Sequence, residues 1–219
     1  MTSREALILV NGTLADPQVI RARLASCSFG LVIAVDGGSR HARTLNLMPQ
    51  AVIGDLDSLD AGLRAEYSAA GVVFEVSPAR KDETDLELAI GYARGHGAER
   101  IVLIGAVGGR LDMTLANLLL LTHPAFTALH IEAWDGSQTA WLLRPPGEEI
   151  AGSAGDTVSL IPLGGDAAGV RTHGMEYPLR GETLAFGPAR GISNVMMEGQ
   201  ARIDLASGLL LLVHTPGRA

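Results

Sequence analysis

The sequence predicts an α/β architecture: an N-terminal, mainly parallel sheet with helices on both faces, followed by a smaller all-β sandwich domain. Two observations carry this expectation. Up to about residue 136, short apolar runs alternate with stretches of helical spacing, and the runs are apolar at successive positions, as strands buried on both faces must be. Beyond that point helical spacing stops, and brief strands punctuated by glycine and proline succeed one another. The expected domains are 1–137 and 138–219, with the linker falling between about 136 and 147.

In order, "ALILV" (6–10), "LVIAV" (31–35), "AVI" (51–53), "VVFEV" (72–76), "IVLI" (101–104) and "LHIEAW" (129–134) read as strands. Between them, "DPQVIRARLAS", "SRHARTLN", "LDAGLRAEYSAAG" and "LELAIGYARGHG" read as helices, by helical spacing and by glycine as the expected end signal. "MTLANLLLL" (113–121) reads as a strongly apolar helix that Asp112 is placed to cap. In the second half, "TAWLL", "TVSLIPL", "GVRTHG", "ETLAFG", "GISNVMM", "ARIDLA" and "LLLLVHT" read as short strands, with "LASGLL" as a hairpin turn.

Composition narrows the function classes. The formal charge is −7 and no dense Lys/Arg cluster occurs, which argues against a face for nucleic acid. The single cysteine, Cys27, rules out an internal disulfide framework and a cysteine-based zinc site. The apolar stretch in "MTSREALILVNG" is too short for a secretory signal, and no run is as long as a membrane span. The expected location is cytoplasmic, with no membrane partner.

The residues immediately after each strand of the first half point to chemistry. The strands lead in turn into Asn11-Gly12, Asp36-Gly37-Gly38-Ser39, Gly54-Asp55-Leu56-Asp57-Ser58, Lys81-Asp82-Glu83-Thr84-Asp85, and Gly105-Ala106-Val107-Gly108-Gly109-Arg110-Leu111-Asp112. Glycine and aspartate are ordinary turn residues, so one such cluster carries little. Five at the carboxyl edge of one parallel sheet, where ligands bind in open α/β folds, mark a site.

Each cluster has its own physics. If the chain stays extended through "GDLDS", Asp55 and Asp57 point the same way and can grip a hard cation through oxygen. In "KDETDLE", Thr84 and Glu87 form a capping box, and Asp85 falls in the first turn of the helix. Capping explains neither Asp82 nor Lys81, the only lysine of the chain. In "GAVGGRLD", a glycine-rich turn feeding a helix presents backbone N–H groups to phosphate, and Arg110 adds a planar fork. Neither the dinucleotide nor the Walker spacing is present. Carboxylates for Mg²⁺, a glycine cradle, one arginine and one lysine make a kit for moving a phosphate group from a nucleotide.

Taken together, "GDLDS", "KDETD" and "GAVGGRLD…LAN" resemble the signature of the thiamin pyrophosphokinase family. The likeness extends to "DGGS" upstream and to "VSLIPL", "GMEYPL", "LAFG" and "GISN" in the second half. The resemblance implies transfer of pyrophosphate from ATP to the hydroxyl of thiamin, with Mg²⁺, giving thiamin diphosphate and AMP. It also implies a homodimer whose site is completed by the partner subunit, with a nucleotide- and metal-binding first domain and a thiamin-binding second.

Carried over, Asp55, Asp57, Asp82 and Asp85 match the family's metal and substrate carboxylates, with Asp55, Asp57 and Asp82 as the metal set and Lys81 beside them. Asp36, Gly37, Gly38, Ser39, Gly108, Gly109, Arg110 and Asp112 match the ATP site, and Ser193 and Asn194 match a thiamin-contacting strand. The chain departs from the family in having Met113 where histidine is common, and Val195-Met196 where an acidic and an aromatic residue are common. Tyr177 and Trp141 are the candidates to stack the thiamin ring. Two rival readings share the nucleotide edge: a pyrophosphokinase of another hydroxymethyl heterocycle such as a pterin, and a non-catalytic nucleotide or thiamin diphosphate sensor.

Overall fold

The computed structural model describes residues 4–56, 59–76 and 82–218. Asp57 and Lys81 therefore lie outside the described residues. The chain divides into two compact units, Met1–Gly136 and Ser137–Ala219.

In the first unit β1 (Glu5–Leu9), β2 (Leu31–Val35), β3 (Ala51–Gly54), β4 (Val73–Val76), β5 (Arg100–Ile104) and β6 (His130–Asp135) form a parallel array in the order β6-β5-β1-β2-β3-β4. The connecting helices are α1 (Pro17–Leu24), α2 (Ser39–Leu45), α3 (Ala61–Ala69), α4 (Asp85–Gly95) and α5 (Leu111–Leu120). Ala6 to Leu9 are all buried, so β1 is covered on both faces, which is why its sequence shows no alternation. Leu7 and Leu9 pack with Ile20 of α1 and with Ala42 and Leu45 of α2, while α4 lies against β1, β2 and β3.

The strand order reverses at β1, whose neighbours are β2 and β5. That reversal opens a crevice at the carboxyl ends of β1 and β5, the usual ligand position in such sheets. At the opposite ends of these strands Arg100 bonds Glu132 (2.9 and 3.0 Å) and Glu5 (3.0 Å). Burial pushes the Glu132 carboxyl up, but bonds from His130, Arg100 and Trp134 outweigh it and hold the group at about 2.

The second unit is an antiparallel sandwich. One sheet runs β12 (Asn194–Val195), β9 (Thr157–Pro162), β14 (Leu210–Thr215), β7 (Gln138–Leu143), and the other β11 (Arg180–Leu184), β10 (Ala167–His173), β13 (Gln200–Asp204), β8 (Gly147–Ala151). Trp141, Leu143, Val158, Leu160 and Leu212 from one sheet meet Ile150, Val170 and Ile203 from the other in one core. "LASGLL" is not a hairpin. β13 pairs with β10 and β8, whereas β14 pairs with β7 and β9, so the segment carries the chain from one sheet to the other. Burial of both Leu205 and Leu210 draws it across the core edge. Among the described residues no helix is long and apolar enough to cross a membrane.

Candidate active site

The crevice between β1 and β5 holds a cavity of about 380 Å³. Its walls include Asn11 and Gly12 after β1, Asp36 after β2, Asp85 and Leu86 of α4, Gly108, Gly109 and Arg110 before α5, and Met113 and Asn117 on α5. Of the residues expected from sequence, Asp36, Asp85, Gly108, Gly109 and Arg110 meet here.

Asp36 is the centre of the acidic group. It sits at a left-handed φ of 43°, a conformation that costs a non-glycine residue about 1–3 kcal/mol and collects at functional positions. Its Oδ1 accepts the Leu56 N–H at 3.2 Å. Burial raises its carboxyl, the hydrogen bond and charge of Asp85 raise it further, and Asp55 adds to them, so that it titrates at about 7 despite the opposing Leu56 N–H. The carboxyl groups of Asp36, Asp55 and Asp85 are thus near neighbours between β2, β3 and α4.

The chain does not stay extended at Leu56, the residue after Asp55. Leu56 is left-handed at φ 62° and buried, its side chain packed with Leu63, Tyr67 and Val72. Turning Leu56 inward brings its N–H to Asp36. Asp82 is exposed ahead of α4. Thr84 caps α4 through the Glu87 N–H at 3.2 Å, as the capping box predicts, and Asp85 opens the helix.

Gly37 and Gly38 are buried, and a Cβ on either would overlap the Asn11 amide or the Leu9 carbonyl. Their smallness lets the turn after β2 lie against the end of β1. Ser39 is fully buried, and its Oγ finds no hydrogen-bond partner among the described residues.

The turn after β5 is held on two sides. Gly12 N–H and Thr13 N–H donate to Gly105 O (2.8 Å) and Val107 O (3.0 Å). From α5, Thr114 Oγ1 accepts the Gly108 N–H at 3.0 Å, and Asn117 Nδ2 donates to Ala106 O at 2.8 Å. Asp112 does not cap α5. Arg110 occupies the N-cap position, and Asp112, in the first turn, takes Arg110 Nε (3.1 Å), Arg110 Nη2 (2.5 Å) and the Met113 N–H (2.9 Å). The helix begins one residue before Asp112, which places its carboxylate inside the first turn rather than at the cap.

In the second unit Ser193 is left-handed at φ 56°, and its N–H donates to Ser159 Oγ. Asn194 is buried, and its side chain clasps a neighbouring segment: Oδ1 accepts the Tyr177 N–H (2.9 Å) and Nδ2 donates to Tyr177 O (2.7 Å). Tyr177 is 60% exposed at a cavity of about 340 Å³ shared with Arg190, Ile192 and Asn194. Trp141 belongs to the sandwich core, its Nε1 bonded to Glu148, and is not available to stack a ligand.

The two halves of the chain match two linked family models. That of the thiamin pyrophosphokinase catalytic domain covers residues 24–133, and that of the thiamin pyrophosphokinase vitamin B1 binding domain covers 146–210. The chain belongs to the thiamin pyrophosphokinase family. It is 30% identical over 187 residues to thiamine pyrophosphokinase from Bacillus subtilis, spanning 84% of this chain and 87% of that one. A crystal structure of thiamine pyrophosphokinase from Bacillus subtilis superposes with a TM-score of 0.84 at 25% identity, covering 97% of this chain and 99% of the other. One from Geobacillus thermodenitrificans superposes at 0.82 with 26% identity, covering 98% and 99%.

For a thiamin pyrophosphokinase, the site contains more than its acidic and glycine motifs. Asn11, Thr114 and Asn117 shape the cavity or its glycine turn, and none of them is assigned to the site from the sequence. Asn11-Gly12 is visible only as the punctuation after the first strand. Asn117 closes the "LAN" of the family likeness, although the likeness attaches no role to it.

Proposed function

We propose that this chain transfers the β,γ-diphosphoryl group of ATP to the hydroxyl of thiamin, releasing AMP, with Mg²⁺ bound. The reading is carried by one observation: carboxylates, a glycine turn and an arginine meet around a single cavity at the switch point of the sheet.

Gly109, Arg110 and Leu111 keep backbone N–H groups without partners among the described residues, at the N-terminus of α5 where the helix dipole favours anions. These groups, with Gly108 and the Asp36–Ser39 turn, form the proposed ATP site. Asp112 holds Nε and Nη2 of Arg110, which leaves Nη1 to face a phosphate oxygen. Ser39, being fully buried, serves through packing of its turn rather than through its hydroxyl.

Asp36, Asp55 and Asp85 bring carboxylate oxygens together here, so the group suits a hard cation. Among the described residues no three His, Cys, Asp or Glu side chains close on a common point. Asp55 and Asp82, with Asp57, are the proposed holders of Mg²⁺, which supplies charge neutralisation on the phosphate oxygens.

In the proposed reaction the thiamin hydroxyl oxygen bonds to Pβ in line with the bridging oxygen to Pα. The Pβ–O bond breaks, its electron pair leaves with AMP, and the hydroxyl proton passes to Asp82 or Asp85 and on to solvent. Lys81 is assigned to the same acidic edge. Ser193 and Asn194 are the proposed thiamin side, with Asn194 holding Tyr177 in place. The site of action is the cytoplasm, where ATP is supplied.

A homodimer completes the proposal. Leu111, Leu115 and Leu119, one helical turn apart along α5, are 75%, 53% and 52% exposed, an apolar stripe that a second copy would bury beside Arg110.

Incubation with ATP, Mg²⁺ and either thiamin or a hydroxymethylpterin tests the whole reading. AMP formed with thiamin alone is the expected result. AMP with the pterin alone, or with neither, overturns it.

A further inference from the structure

We infer that Asn117 is a positioning residue for the nucleotide, fixing the turn after β5 in the form that aims its backbone N–H groups at phosphate. The inference rests on the proposed ATP site.

The turn needs fixing because of what it is made of. Gly105, Gly108 and Gly109 all take left-handed conformations, at φ 75°, 84° and 75°. Glycine reaches that region easily and leaves it as easily, so three within five residues give a segment with many alternatives of similar energy. Its geometry must come from partners outside it.

Those partners are of two kinds. The bonds from Gly12 and Thr13 are backbone to backbone and hold the strand side of the turn. The bonds to α5 come from side chains alone, Thr114 to the Gly108 N–H and Asn117 to Ala106 O. Positions 114 and 117 are three apart and lie on the same face of the helix. They tie the turn to the helix whose N-terminal end borders the cavity. Because a peptide plane is rigid, holding Ala106 O toward α5 also sets the direction of the Val107 N–H and of the chain entering Gly108.

Burial makes the amide a choice that needs a reason. Asn117 is 5% exposed and is the one buried residue of α5 between Leu111 and Leu120. A leucine there would avoid the desolvation of a carboxamide. What the amide adds is the bond to Ala106 and a wall position in the cavity.

The test compares the full-length wild type with Asn117→Ala, Asn117→Ser, Thr114→Val and Leu121→Ala. Leu121 is buried just past the end of α5 and is not part of the turn or the cavity lining, so its truncation reports loosening of the helix alone. Calorimetry with α,β-methylene-ATP and Mg²⁺ gives Kd, and steady-state kinetics give the two KM values. Asn117→Ala is expected to raise the analogue Kd and the ATP KM about tenfold or more, with the thiamin KM within about twofold. Asn117→Ser, whose hydroxyl is too short to reach Ala106 O, should do the same, and Thr114→Val should shift Kd in the same direction. Leu121→Ala should lower Tm and leave Kd within about twofold. An unchanged Kd in a cooperatively melting Asn117→Ala or Asn117→Ser protein overturns the inference while leaving the ATP site intact. So does a Leu121→Ala protein that loses as much affinity as Asn117→Ala. A wild type that does not bind the analogue overturns the ATP-site reading itself.

Discussion

Gly54, at the end of β3, leaves open the space that the Asp36 carboxylate occupies. A Cβ at position 54 would overlap Asp36 Oδ1, and φ at Gly54 is 145°, where side chains are strained. Gly54→Ala is therefore expected to push Asp36 out of reach of the Leu56 N–H. Turnover should fall by about two to four powers of ten, the scale of losing an electrostatic group at a reacting centre. The added strain should cost about 1–3 kcal/mol of stability. A variant with wild-type kcat would show that Asp36 has no fixed place in the reaction.

Asn194→Ala removes both bonds that hold the Tyr177 backbone. The thiamin KM should rise far more than the ATP KM, because only the second unit is altered. Loss of the buried bonds should also lower stability by about 1–3 kcal/mol. Equal rises in both KM values would detach Asn194 from thiamin binding.

The leucine stripe of α5 makes a prediction about assembly. Leu115→Glu with Leu119→Glu places two charges where the proposed dimer buries apolar surface. Light scattering should read a dimer for the wild type and a monomer for the double variant. A wild type that is monomeric across the concentration range, or a double variant that stays dimeric, removes α5 from any interface.

Asp156 sets an acid limit on the second unit. Burial pushes its carboxyl up, but N–H groups of Gly217 and Ser153 and the His214 side chain at 2.8 Å outweigh burial and hold it below its ordinary value. A carboxylate with a depressed folded value contributes stability in full above its unfolded value of about 3.9, and loses it as pH falls through the folded one. Asp156→Asn should cost about 3 kcal/mol at neutral pH. It should also flatten the decline of Tm below about pH 4. Parallel Tm curves for the two proteins would contradict this.

Lys81→Arg keeps the charge proposed for the acidic edge and changes only its shape. Stability should stay within about 0.5 kcal/mol. The broader guanidinium should nevertheless cut kcat/KM for ATP about tenfold. Unchanged kinetics would return Lys81 to the ordinary surface.

Much of the fold is legible because burial and capping are local patterns. "ALILV" announces a strand covered on both faces, and Thr84 with Glu87 announces the start of α4. β8 escapes notice for the same reason: Ile150 is its one buried residue among glutamates, so no period shows. Leu56 reads as a strand continuation, and only its packing on Leu63 and Tyr67 turns it left-handed. "LASGLL" has the composition of a turn, but which strands it joins depends on pairings far away in the chain.

The α/β-then-β order, the family, and the edge at which acidic and glycine motifs gather are all written in side-chain type and spacing along the chain. Other features exist only once the chain is folded: Asp36 becomes a strongly perturbed carboxylate, and Asn117 and Asn194 spend their amides on backbone. Each depends on groups set side by side by folding, as Leu56 is to Asp36 and Tyr177 to Asn194. Hydrogen bonding and desolvation act between neighbours in space, and no local pattern records those neighbours.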